Sequence, residues 1–250
     1  MPRTSTEIAP SITVRDETGE LVETSLRDVS SEAICRAQPY RTFRWYLGQK
    51  HYSGSYWSST ESAHVIYESR LELARLLMAD FDRSVTRIVA QPFLLRARIQ
   101  GKVWRHIPDY WLHTSDGSVV VDVKPAKRLS DPVVQATFEW TRDLVESIGW
   151  RFEIASEQPE VMLENARFLS GYRRADRISQ TCLAALRALN VDGMEFRDIR
   201  QSVPHPKPLV HAALLHMLWT HELTADLSEV LWSKTVLRQQ AVKDAEPQHR

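Results

Sequence analysis

The sequence predicts an α/β fold: a mixed sheet flanked by helices over residues 58–157, then a small helical domain over 158–250. Three observations point there. Residues 58–156 read in the order helix, several strands, helix, strand. Beyond Glu157 the periodic segments turn helical. The chain has 250 residues and is 43% hydrophobic, which suits one or two domains with packed cores.

The elements follow in order. Residues 1–57 form an N-terminal arm. Its first 35 residues are a polar lead with one strand, SITVRD, and a DETGE turn. Residues 36–57 contain no acid; Arg36, Arg41, Arg44 and Lys50 are interleaved with Tyr40, Phe43, Trp45, Tyr46, Tyr52, Tyr56 and Trp57. Cations meet phosphates and rings stack on bases, so Arg41, Arg44 and Lys50 are candidate DNA contacts. The same aromatics suit an extended segment packed on the main domain. Next, Ser58-x-x-Glu61 has capping-box spacing, and Leu73, Leu76, Leu77 and Phe81 recur at helical intervals. A helix is expected over about 59–81. VTRIVAQ, FLLRARI, VWRHIPDYWLHT and SVVVDVKP read as strands, and Pro92 separates the first two. A second helix is expected over about 132–148, followed by the strand RFEIAS.

In the C-terminal region PEVMLENARFLSGYRR, ISQTCLAALRAL, FRDIRQSV and PLVHAALLHMLWTHEL read as four short helices. LTADLSEVLWSKTVLRQQ closes the set, with HELTADL a strand-like piece. Short helices followed by such a piece resemble a winged-helix arrangement. The tail KDAEPQHR reads as frayed.

Composition narrows the function classes. Lys+Arg and Asp+Glu both number 32. A protein that grips nucleic acid alone is usually basic, so positive charge here must be local or a partner must share the grip. No apolar run approaches the roughly 18 residues of a membrane span. The N-terminus is polar and lacks an apolar signal region, which reads as cytoplasmic. Cys35 and Cys182 are far apart and fit neither a disulfide nor a zinc spacing; they read as small apolar residues.

The stretch HIPDYWLHTSDGSVVVDVKP, residues 106–125, concentrates the chemistry. Asp116-Gly117 between alternating runs signals a hairpin. With those two residues as the turn, Ser115 pairs with Ser118, Trp111 faces Asp122 and Asp109 faces Lys124. Asp122 and Lys124 then share a face, and Asp109 joins them as a diagonal neighbour about 7–8 Å from Asp122. Tyr110, Leu112, Val121 and Val123 take the opposite, core-forming face. Two acids and a lysine on one face suit Mg²⁺ or Mn²⁺ with oxygen ligands. A solvated Asp–Lys pair beside a second exposed acid satisfies the same spacing, and spacing alone leaves both open.

The order of parts resembles the PD-(D/E)XK nuclease superfamily, whose fold is a restriction-endonuclease-like mixed sheet. More closely, YESRLELARLLMADFDRSVTRIVAQPFLL followed by HIPDYWLHTSDGSVVVDVKPA is similar to the TnsA family, the endonuclease subunit of heteromeric transposases. The resemblance covers about residues 58–156. It implies that Glu72, in SRLEL, is the glutamate of the catalytic helix and that Asp109 is the central metal-binding aspartate. It implies Lys124 as the catalytic lysine. Asp122 stands at the acidic or amide position two residues earlier, and the Val123 carbonyl is a further metal ligand. Glu68, one helical turn from Glu72, competes with it; the family's short motif favours Glu72. His106, a lone histidine at a strand start, reads first as structural.

The resemblance further implies a metal-dependent DNA endonuclease using Mg²⁺, with Mn²⁺ as a substitute, that cuts the 5′ ends of a transposon. The implied partners are double-stranded DNA at transposon ends, a DDE-type (TnsB-like) transposase that handles the 3′ ends, and an AAA+ (TnsC-like) ATPase regulator. Two other readings stand beside it. A stand-alone restriction-like nuclease cuts DNA without a partner. A non-catalytic DNA-binding or assembly protein keeps the fold but loses an acid or the lysine, and neither is missing here.

Overall fold

The structure, a computed structural model, describes residues 9–41 and 52–239. The chain divides into two units, Met1–Gln158 and Pro159–Arg250.

The first unit is built on two four-stranded sheets. Its elements are β1 (Ser11–Arg15), β2 (Leu21–Ser25), α1 (Ser31–Cys35), β3 (Gly54–Ser58), β4 (Ala63–Tyr67), α2 (Arg70–Phe81), β5 (Val85–Ala90), β6 (Leu94–Ile99), β7 (Lys102–His106), β8 (Tyr110–Thr114), β9 (Gly117–Val123), α3 (Pro132–Glu146) and β10 (Arg151–Ala155). The central sheet has the order β10-β9-β8-β5; β9 and β10 are parallel and the other pairs antiparallel. This is the mixed sheet expected. One face carries Trp111, Val120 and Val89, packed with Trp140 and Val145 of α3 and with Ile12, Val14 and Leu95 of the second sheet. The other face carries Tyr110, Leu112, Val119, Val121 and Val123, packed with Leu76 and Ala79 of α2 and Val65 of β4. Two-residue alternation along β8 and β9 thus feeds two separate cores.

The second sheet has the order β2-β1-β6-β7. The polar lead therefore supplies two strands: β1 pairs with both β2 and β6, and Ile12 is fully buried. The run VWRHIPDYWLHT, expected as one strand, is split. β7 ends at His106, Pro108 intervenes, and β8 begins at Tyr110 in the other sheet. Proline has no N–H for a ladder, so the chain changes sheets there. The Pro-Asp dipeptide is the crossover.

The expected helix over 59–81 begins later. Residues 54–67 form the β3–β4 hairpin, and α2 starts at Arg70. Its cap is Ser69, whose Oγ accepts from the Glu72 N–H at 3.1 Å, so the capping box is Ser69-x-x-Glu72 rather than Ser58-x-x-Glu61. Ser58 instead anchors a turn on a buried acid. The Asp80 carboxylate, 6% exposed, accepts from Tyr56 Oη, from the Ser58 hydroxyl and from the backbone N–H groups of Ser59 and Thr60, at 2.6–3.0 Å. Replacing Asp80 with alanine strands these donors. A loss of about 3 kcal/mol is expected from unsatisfied buried groups of this kind. Denaturant melts of wild type and variant measure it; a change below about 1 kcal/mol contradicts the tie.

The second unit contains α4 (Glu160–Leu169), α5 (Gln180–Arg187), α6 (Phe196–Ser202), α7 (Lys207–Trp219), β11 (Leu223–Thr224) and β12 (Arg238–Gln239). α7 buries Val210, Ala213, Leu214, Leu215, Met217 and Leu218, being apolar nearly all round. The closing segment is largely irregular: its only regular pieces among the described residues are the paired strands β11 and β12. Buried Asn165 fastens it to α4. The Asn165 amide donates to the Leu227 and Glu229 carbonyls and accepts from the Leu231 N–H.

Candidate active site

The β8–β9 hairpin differs from the expected register. Thr114 pairs with Gly117, and the ladder runs to Tyr110 opposite Val121. The turn residues are therefore Ser115 and Asp116, and Gly117 follows them with φ +105°. The Thr114 hydroxyl fixes this choice, donating to the Gly117 carbonyl at 2.8 Å and accepting from the Asp116 N–H at 3.2 Å. Continuing the count places Asp109 opposite Asp122 instead of Lys124. The diagonal arrangement is corrected to a direct one, which brings the two acids closer in register.

Asp109, just past Pro108, interrupts regular pairing. Its N–H donates to the Val121 carbonyl at 3.1 Å, and its Oδ2 accepts from the Val123 N–H at 2.6 Å. Its own carbonyl accepts from the Gln91 N–H at 2.8 Å. Asp122, 2% exposed, turns toward the face that carries Val120 and Trp140. There His106 Nε2 lies 2.8 and 2.7 Å from its two carboxylate oxygens. The His106 ring stands edge-on to Trp140, with centroids 6.3 Å apart. His106 is thus a direct partner of Asp122.

Glu72 sits in the first turn of α2. Its Oε2 accepts from the Glu68 N–H at 2.7 Å and its Oε1 from the Ser69 hydroxyl at 2.9 Å. Glu68 Oε1 in turn accepts from Gln91 Nε2 at 2.6 Å. The Lys124 N–H donates to the Ala155 carbonyl at 2.8 Å, which ties the end of β9 to β10.

The electrostatics draw these groups into one system. The Asp109 carboxyl is pushed well above the ordinary carboxylate range, first by burial and then by the charges of Asp122 and Glu72. The Val123 N–H and Lys124 pull the other way and lose. Burial also raises Glu72, against the Glu68 N–H, the Ser69 hydroxyl and the charge of Lys124. Asp109, opposed in its ionisation by the charges of Asp122 and Glu72, belongs to an oxygen-rich donor set whose repulsion a divalent cation relieves. The side chains are engaged elsewhere: Glu72 with its helix cap, Asp122 with His106. Among the described residues no three His, Cys, Asp or Glu side chains converge as a ready metal cage.

Residues 82–157 match the family model described as TnsA-like endonuclease N terminal. The chain carries a TnsA-like endonuclease domain. No curated protein matches the sequence. Asp109, Asp122, Val123 and Lys124 lie within the matched TnsA-like span, and Glu72 lies on the helix just before it. The match supports a TnsA-like nuclease.

Of the candidate residues, Glu72, Asp109, Asp122 and Lys124 fall within one electrostatic neighbourhood, and the Val123 N–H binds Asp109. Arg41 is exposed; Arg44 and Lys50 lie outside the described residues. The sequence marks two further participants without showing their contacts: Gln91, in the Gln91-Pro92 strand entry of the resemblance, and His106, a histidine that could approach the site from the same hairpin. Gln91 bonds both Glu68 and the Asp109 backbone, and no side-chain periodicity marks it. The His106–Asp122 contact depends on the break at Pro108, which sends His106 and Asp109 into different sheets; the proline itself was the available signal. No helix among the described residues is long and apolar enough to cross a membrane.

Proposed function

We propose that this protein is the metal-dependent DNA endonuclease subunit of a heteromeric transposase, cutting the 5′ ends of the transposon by phosphodiester hydrolysis. The observation that carries the reading is Asp109, half-buried beside Asp122 on the hairpin, with Glu72 and Lys124 near enough to act on its charge, inside a TnsA-like domain. Asp109, Asp122, Glu72 and the Val123 carbonyl would hold Mg²⁺, with Mn²⁺ as a substitute. A bound divalent ion supplies Lewis acidity toward the scissile phosphate and lowers the pKa of a ligated water. Lys124, beside Asp109 and Glu72, orients the attacking water and stabilises charge gathering on the phosphoryl oxygens. Water attacks phosphorus, the bond to the 3′ oxygen breaks, and the products are a 3′-hydroxyl and a 5′-phosphate.

Arg98 and Arg105 support a duplex partner. Both are exposed on neighbouring strands β6 and β7, and neither has an ion pair among the described residues. Arg96, which meets Glu23 at 3.8 Å, lies directly opposite Arg105 and adds to the local positive charge. With the composition electrically neutral, DNA delivery falls to a TnsB-like transposase and a TnsC-like AAA+ regulator in the cytoplasm. The helical second unit, with its short β11–β12 ribbon, is read as a winged-helix-like domain.

The test is cleavage of a transposon-end substrate by the chain with its transposase partner in Mg²⁺. The expected product is a 5′-phosphorylated nick at the transposon's 5′ end, abolished by EDTA. The same nick in EDTA, or without this chain, overturns the reading. Engagement of Glu72 and Asp122 with other partners favours one alternative, a non-catalytic assembly protein that keeps the fold. That alternative predicts partner-dependent complex formation with no nick assigned to this chain. Cutting by the chain alone would indicate a stand-alone nuclease.

A further inference from the structure

We propose that Gln91 is a positioning residue of the nuclease centre: it braces the helix-borne and hairpin-borne acids against each other and directs its free amide oxygen toward water bound there. The inference rests on the nuclease reading above.

Gln91 follows β5 and precedes Pro92. Its φ is +45°, in the left-handed region. Such a conformation costs a non-glycine residue about 1–3 kcal/mol and clusters at functional sites. A residue before proline also favours extended backbone, which deepens the penalty. Glycine would adopt this φ without strain. A glutamine at this strained position therefore points to a role for its side chain.

Its bonds show what that role is. Nε2 donates to Glu68 Oε1 at 2.6 Å, and the Glu68 N–H donates to Glu72 Oε2 at 2.7 Å. The Gln91 N–H donates to the Asp109 carbonyl, while the Gln91 carbonyl accepts from the Tyr40 N–H, both at 2.8 Å. One residue thus connects the segment that carries Glu68 and Glu72 to the crossover that carries Asp109. Tyr110, next to Asp109, adds a longer tie, its hydroxyl donating to the Glu72 carbonyl at 3.4 Å.

The remaining atom points to a ligand. Gln91 is 7% exposed, and its Oε1 is buried without a hydrogen-bond partner among the described residues. Flipping the amide does not cure this, because oxygen would then face the Glu68 carboxylate. An unpaired buried acceptor costs about 1–3 kcal/mol. Mg²⁺ characteristically keeps several waters when bound, and each offers hydrogens to such an acceptor. Strain and an unpaired acceptor thus coincide in one residue, bonded to Glu68 and to the Asp109 backbone.

The test uses the full chain and Mn²⁺, with affinity read from the electron paramagnetic resonance of free Mn²⁺. Gln91→Leu removes both amide atoms; Gln91→Gly also relieves the backbone strain. Both are expected to weaken Mn²⁺ binding by about 10–100-fold, the usual loss when an outer partner of a metal site is removed. The glycine variant should lose affinity even where it melts no lower than wild type, an outcome that a purely structural role would not give. Should the leucine variant fail to fold, the glycine variant decides. Wild-type affinity in a folded variant overturns the role of Gln91 while leaving the nuclease reading intact. Absence of Mn²⁺ uptake by wild type itself sinks both.

Discussion

Cleavage by an Asp109→Asn variant is expected to fall by at least about 10³-fold, because the substitution removes the anionic ligand around which the other acids gather. The accompanying stability change should have the opposite sign to most buried substitutions. Asparagine keeps an oxygen to accept from the Val123 N–H, yet it cannot ionise. In the folded chain the Asp109 carboxyl is raised by burial and by Asp122 and Glu72. Between the ordinary carboxylate value and that raised value, the folded state binds more protons than the unfolded state. Stability of the metal-free wild type therefore falls as pH rises through this window, and Glu72, also raised by burial, adds to the fall. Asp109→Asn removes one contribution, so its stability should depend less steeply on pH and should match or exceed wild type at pH 8. Denaturant melts at pH 5 and pH 8 in EDTA measure this. Saturating Mn²⁺ should stabilise wild type by about 2.7 kcal/mol at one hundred times Kd and the variant far less. A variant clearly less stable than wild type at pH 8 would show that the carboxylate serves as a structural cap.

Lys124→Ala is expected to slow strand cleavage by about 10²–10³-fold, the loss typical when one preorganised donor to a developing anion is removed. The lysine is partly buried, and its backbone N–H remains bonded to Ala155 in the variant. Folding should survive. The maximal rate should fall while DNA affinity at fixed salt changes little, since one phosphate contact at most is lost. Single-turnover cleavage against DNA concentration separates the two. Loss of affinity at an unchanged maximal rate would assign Lys124 to binding alone.

The layered architecture was legible because burial writes itself into alternation. Tyr110, Leu112, Val121 and Val123 were readable as one core face of the hairpin, and they are. The two helices that cover the central sheet were visible from their apolar spacing, although α2 begins eleven residues later than expected from a start at Ser59. That error has a local cause. Ser58-x-x-Glu61 and Ser69-x-x-Glu72 are the same pattern, and only a long-range partner, Asp80, turns the first into a hairpin turn. The hairpin register failed for a similar reason: Asp116-Gly117 fits a two-residue turn, but the Thr114 hydroxyl selects Ser115-Asp116. Chemistry that depends on contacts distant in sequence, such as His106 with Asp122 and Gln91 with Glu68, left no periodic trace.

Anomalous scattering from a crystal grown in Mn²⁺ addresses the metal site most directly. A single strong peak bounded by the Asp109 and Asp122 carboxylates and the Val123 carbonyl, with Glu72 in contact directly or through water, is the expected result. A well-ordered site at saturating Mn²⁺ with Asp122 still held by His106, Glu72 still capping its helix, and no peak between them contradicts a metal-dependent nuclease.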